Sequence, residues 1–229
     1  TEVVEEEVPA EPQMLYGYNL DEYRVIEGKI RPGESLGKLL TSQKISFSEV
    51  DQIARMSKEV FDARYIAVDR PYVMLTEKDS IGRAVAFIYY PDPIDYVVYH
   101  FKDSLDVYRA QRPVDLKEVE ASGVIKGSLY ETMLALKLSP ALPGAISEIY
   151  AWTIDFFRIQ EGDKFKIIYD KKYVDGEFIG IGLIKAVWFE HAGESFYSFY
   201  FEENELFGDY FDEEGNTLRR VFLKAPVNF

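Results

Sequence analysis

The sequence predicts an α+β protein of two β-rich modules with short helices, the second an antiparallel sheet carrying a helical hairpin. Three observations lead there. Aromatic residues make up 15% of the chain, with 17 Tyr and 16 Phe, and many recur at the period of two that places side chains on one face of a strand. Two Ser-x-x-Glu signatures, Ser46 with Glu49 and Ser128 with Glu131, each precede apolar residues at helical spacing. Asp175-Gly176 separates two apolar runs and signals a tight hairpin.

Residues 1–14 hold five Glu, two Pro and no basic residue, too little apolar surface to fold, so residues 1–15 are expected to be an acidic linker. A first module is expected over residues 16–117. After the Pro32-Gly33 turn, Leu36, Leu39 and Leu40 fall on one face of a short helix. A second helix opens at Ser46, with Phe47, Val50, Ile53 and Ala54 at helical spacing. The period then shifts towards two, and residues 72–76, 84–90, 96–101 and 105–108 read as strands, with turns at 91–93 and 102–104.

The second module is expected over residues 118–229. Residues 118–126 read as a strand leading into a helix opened by Ser128, with Leu129, Met133 and Leu136 inward. Ser139-Pro140 restarts the chain, and a helix over 144–153 would align Ile146, Ile149, Tyr150 and Thr153. Strands follow at 165–174 and, beyond Asp175-Gly176, along a returning strand with Ile179, Ile181, Leu183, Val187 and Phe189 on one face and Lys185 as the exception. Gly180 and Gly182 on its other face suit a bulge or close packing. Residues 190–193 read as a turn into the strand 195–201, and residues 214–216 turn the chain once more. There is no repeat of solenoid type.

Composition excludes several classes. A net charge of −14 and a pI near 4.7 oppose binding to nucleic acid or anionic lipid, which requires clustered Lys and Arg. With no cysteine, disulfides, thiol nucleophiles and Cys-based zinc sites are excluded. No apolar run approaches the ~20 residues of a membrane span.

Several ordered stretches carry a resemblance: Ala121-Ser-Gly-Val-Ile125, Tyr150-Ala-Trp-Thr-Ile-Asp-Phe-Phe-Arg-Ile159, Tyr173-Val-Asp-Gly176, Tyr210-Phe-Asp-Glu-Glu-Gly-Asn216 and Leu218-Arg-Arg-Val-Phe-Leu-Lys-Ala-Pro226. Together they resemble the non-catalytic N-terminal region of bacterial M23 (LytM-type) zinc endopeptidases that cut peptidoglycan. The resemblance covers about residues 16–229. Pro32-Gly-Glu-Ser-Leu36, followed by two helices, is similar to the opening of LysM modules, which bind N-acetylglucosamine-containing glycans. The resemblance therefore implies a LysM-like first domain, an α+β second domain, and a catalytic domain that would begin just after Leu-Lys-Ala-Pro-Val and is missing from these residues.

That family binds its zinc through an H-x-x-x-D pair and a later H-x-H. Here the only histidines are His100, with Ser104 where the pattern requires Asp, and His191, with no His two residues away. No catalytic, cofactor-binding or metal-binding residue is therefore assigned. His100 reads as a half-buried or surface strand histidine and His191 as a turn residue. Seven acids and no base between Glu202 and Glu214 lack the EF-hand spacing and read as a solvated hairpin. Zinc is expected in the missing catalytic domain.

The resemblance further implies export to the periplasm or cell envelope, with peptidoglycan and the downstream catalytic domain as partners. In such enzymes the first domain can cover the catalytic cleft; Glu34, Glu59 and Asp62 are the candidates for a carboxylate inserted at the zinc. The expected function is the regulatory and wall-positioning portion of a peptidoglycan metalloendopeptidase. The alternative is a stand-alone peptidoglycan-binding or scaffold protein of the envelope.

Overall fold

The computed structural model describes residues 13–204 and 207–218, and the chain divides into two compact units between Pro113 and Val114. The first unit contains β1 (Met14–Leu15), β2 (Tyr18–Asn19), β3 (Tyr23–Lys29), α1 (Leu36–Ser42), α2 (Phe47–Met56), β4 (Pro71–Glu77), β5 (Ala84–Tyr89), β6 (Asp95–His100) and β7 (Asp106–Gln111). The second contains β8 (Asp115–Val124), α3 (Leu129–Ala135), α4 (Leu142–Ile149), β9 (Lys164–Val174), β10 (Glu177–His191), β11 (Glu194–Asn204) and β12 (Phe207–Phe211). The expected break after Lys117 thus falls within β8, which pairs along its whole length with β9.

Both units share one plan. Each has a five-stranded antiparallel sheet whose strands lie in chain order, β3 to β7 in one and β8 to β12 in the other. In each, two short helices are inserted between the first and second strands. The α+β class is as expected, and the repeated plan is a feature that the sequence pattern does not display.

The helix starts follow local chemistry. Ser35 accepts from the Lys38 N–H to cap α1, and Ser46 with Glu49 and Ser128 with Glu131 form reciprocal capping boxes on α2 and α3. The fourth helix differs from expectation. It begins at Leu142 with Pro143 in its first turn, where proline loses no hydrogen bond, and ends at Ile149, leaving Thr153 outside. Leu136, expected inward on α3, is the exposed residue that ends it, and Thr132 is buried with Leu129 and Met133.

In the first unit the sheet is covered on both faces. Ile30, Leu36, Leu39, Leu40 and Ile53 pack with Met74, Phe87, Tyr89, Val97 and Tyr99 under the helices. On the opposite face Val73, Leu75, Val85, Ala86, Ile88 and Val98 lie beneath Leu15, Tyr16, Tyr18 and Leu20, which the β1–β2 hairpin and the turn after it supply. Hence β1 lies inside the stretch expected to be linker. The acidic residues 1–12 are outside the described residues. The strand β3 was also unassigned in the sequence; after the buried Tyr23 its residues are only exposed or half-buried.

In the second unit one core fills the helix side: Ile125, Leu129, Met133, Leu142, Ile146, Ile149, Tyr150, Phe165, Ile167, Tyr169, Ile184, Val187 and Phe189. The expected Asp175-Gly176 turn joins Val174 to Glu177, with both turn residues at positive φ (50° and 81°). Along β10 the single-face expectation fails. Register shifts between Phe178 and Ala186 insert extra residues, so Leu183 is exposed while Ile184, Val187 and Phe189 are buried. The displaced parity also explains why Lys185 had looked exceptional.

Candidate functional site

The two histidines are held by local partners. Tyr18 and His100 share a hydrogen bond at the His100 Nδ1, tying the β1–β2 hairpin to β6. Burial pushes the Tyr18 hydroxyl pKa up to about 12, so this hydroxyl is protonated over the whole physiological range. His191, expected in a turn, is instead the last residue of β10, with its Nδ1 2.7 Å from Asp163 Oδ2. Asp163 also accepts from the Gln160 and Ala192 backbone N–H groups. Burial opposes the charge on Asp163, but these donors and His191 together hold its carboxyl below the usual range.

Glu34, Glu59 and Asp62 occupy the two segments that flank the helices of the first unit. Those segments are joined where the Ile30 N–H meets Arg70 O and the Asp69 N–H meets Ile30 O. Glu34 accepts from the Arg31 N–H at 2.8 Å, closing the Pro32-Gly33 turn. Asp62 accepts from the Arg64 backbone and guanidinium, which hold its pKa down to about 2. Glu59 lies exposed in a short 3-10 turn.

Among the described residues no three His, Asp or Glu side chains converge as metal ligands, and the two histidines lie in different units. Within the acidic hairpin Asp212 accepts from the Glu214 and Asn216 N–H groups and from Asn216 Nδ2, which organises the 212–216 turn.

The sequence did not single out the most distinctive surface, the sheet face of the second unit that lies opposite its helices. Directly paired residues of an antiparallel ladder share a face, which places Trp188 with Tyr197, Ala186 with Phe199, and Phe199 with Phe211 on this side. Tyr197, Phe199 and Phe201 are 37%, 45% and 62% exposed. The Tyr197 and Phe199 rings lie nearly parallel, 8° apart with centroids at 6.4 Å, and Phe201 meets Phe211 edge-on at the same separation. Trp188 Nε1 donates to Ser195 Oγ at 3.1 Å while the Lys166 ammonium sits 5.7 Å from the indole centre.

Beside this aromatic row two lysines are ion-paired. Lys164 meets Glu190 at 2.7 Å, and Lys185 bridges Glu118 at 2.7 Å and Asp170 at 3.0 Å. Pairing of β11 with β12 ends at Phe199 and Phe211. At this edge of β11, on the side of the helices, a cleft of about 240 Å³ is lined by Tyr150, Phe196 and Leu218 of the core together with Ser195, Glu213 and Glu214.

Comparison with known proteins gives the family and the fold. Residues 114–228 match the family described as the Csd3 second domain. The chain is 36% identical over 85 residues to the peptidoglycan DD-endopeptidase ShyC of Vibrio cholerae, a match covering 37% of this chain and 19% of that protein. It is 23% identical over 202 residues to the peptidoglycan DD-endopeptidase ShyB of the same organism, covering 87% of this chain and 46% of ShyB. The fold resembles that of a zinc-containing peptidase from Vibrio cholerae, with a TM-score of 0.63 and 21% identity over 85% of this chain and 59% of that one. The chain thus spans less than half the length of these curated relatives. Through residues 114–228, half of its length, the chain belongs to the Csd3 second-domain family.

Proposed function

We propose that this chain is the regulatory and wall-positioning portion of an M23-type zinc endopeptidase that acts on peptidoglycan, and that the zinc and the hydrolytic chemistry belong to a catalytic domain outside these residues. The observation that carries the reading is the match to endopeptidases of the cell wall, which runs across both units while taking in less than half of those proteins.

In this reading the first unit is LysM-like. The Pro32-Gly33 turn, the helix capped by Ser35 and the second helix opened at Ser46 support that reading. The unit acts as an autoinhibitory cover: a carboxylate from the segments bearing Glu34, Glu59 and Asp62 takes the open zinc position and excludes the attacking water, and opening is a population shift. Asp62 stays ionised beside Arg64 and Glu34 is held in a turn, so each would have to exchange a local partner to reach a metal. The protein is exported, to the periplasm or cell envelope, where its substrate lies. No helix among the described residues is long and apolar enough to cross a membrane.

The test adds the purified chain to the isolated catalytic domain of the same gene and follows peptidoglycan cleavage. Inhibition near stoichiometric concentration is expected, weakened by whichever of Glu34→Ala, Glu59→Ala and Asp62→Ala removes the inserted carboxylate. Unchanged cleavage at excess chain would refute the covering role.

A further inference from the structure

We infer that the open sheet face of the second unit is a glycan platform, on which a neutral β-linked amino-sugar strand lies along the aromatic row of Trp188, Tyr197, Phe199 and Phe201. This rests on the wall-positioning reading above and deepens it by naming the surface and the ligand class.

The first observation is the contrast between two sheets of the same plan. In the first unit the face opposite the helices is aliphatic, with Val73, Leu75, Val85, Ile88 and Val98, and a hairpin of the chain itself seals it. In the second unit the corresponding face presents rings and charged groups, and the exposed rings show that no described segment covers it. An aliphatic face is what a covering protein segment requires. A face that alternates rings with hydrogen-bonding groups is built for a different occupant.

The chemistry of that occupant follows from the groups present. Aromatic rings carry negative faces, and sugar rings present C–H faces of slight positive character, so the exposed rings of Tyr197, Phe199 and Phe201, set along one strand, suit successive pyranose units. Hydroxyl and acetamido groups at the sugar edges need donors and acceptors. Lys166, Ser195 and Glu190 border the row and supply them. Because Lys164 is paired with Glu190 and Lys185 with Glu118 and Asp170, the face exerts no strong field of one sign. A polyanion is thereby disfavoured. A second copy is disfavoured as well, since two chains of net charge −14 repel.

The experiment uses the whole chain carrying Trp152→Phe, which leaves Trp188 as the single indole of a protein with two. A β-1,4-linked hexamer of N-acetylglucosamine is titrated while the emission of Trp188 is followed, and pelleting with insoluble peptidoglycan is measured in parallel. A saturable change is expected, with affinity falling about tenfold in Tyr197→Ala and again in Phe199→Ala, as loss of one stacked ring implies. Both side chains are exposed, and an unchanged urea midpoint will show that each variant folds; if one fails, the other decides.

Absence of a saturable response, or affinity in both variants unchanged from that of the Trp152→Phe parent, overturns the platform. If the unmodified chain pellets with peptidoglycan and Phe199→Ala pellets equally, the platform fails while wall positioning stands. If the unmodified chain does not pellet at all, wall positioning itself fails. A concentration-dependent dimer abolished by Phe199→Ala would also overturn the inference, by assigning the face to a second copy.

Discussion

Asp163 joins two segments that are far apart in sequence. Its carboxylate accepts from the Gln160 and Ala192 N–H groups and from His191 Nδ1, which fastens the loop before β9 to the β10–β11 hairpin. Replacing one charged acceptor of several buried donors costs about 1–3 kcal/mol. Asp163→Asn is expected to lose that much at neutral pH, read as a lower urea midpoint. Both tryptophans, Trp152 and Trp188, lie in this unit, so their fluorescence reports its unfolding. The sign with pH follows from the depressed carboxyl. Its contribution is complete above the unfolded value of about 3.9 and is lost as pH falls through the lower folded value, so the two proteins begin to converge in stability as pH falls below about 4. Sequence spacing could not have shown this pair, because His191 and Asp163 are 28 positions apart and meet only when β9 and β10 pair.

At the scale of the element, tight turns carry both agreement and strain. Asp175-Gly176 was readable because a two-residue hairpin demands positive φ at both positions and Asp and Gly adopt it readily. Ala192-Gly193 makes the same kind of turn with φ of 52° and 84°, but alanine pays a steric cost there that asparagine largely avoids. The sequence therefore gave a turn at the right place and the wrong extent, since His191 remains in the strand. Ala192→Asn is expected to stabilise the second unit by about 1 kcal/mol, the cost of the left-handed conformation that asparagine largely avoids, visible as a higher midpoint in the same urea experiment. The capping boxes at Ser46 and Ser128 were legible for a related reason: each is complete within four residues. The parity of β10 was not, because its bulges are set by pairing with β9.

For the whole molecule, the repeated plan has a mechanical consequence. The buried clusters each fall within one unit: two sandwich the first sheet and one fills the helix side of the second. Residues 114–229 expressed alone are thus expected to give a single cooperative urea transition by tryptophan fluorescence, and a broad, featureless melt would show that this core is insufficient.

What the sequence determined by itself was whatever depends on neighbours in the chain: the α+β class, the helix starts at Ser46 and Ser128, the Asp175-Gly176 hairpin and the ordered motifs that carry the resemblance. Tertiary structure decided the rest. Tyr and Phe at period two read equally as core or as surface in the sequence; only the placement of the helices and of the β1–β2 hairpin buried one set and left Tyr197, Phe199 and Phe201 in solvent. The physical reason is that alternation fixes which residues share a face, whereas the exposure of that face depends on elements brought against it from elsewhere in the chain.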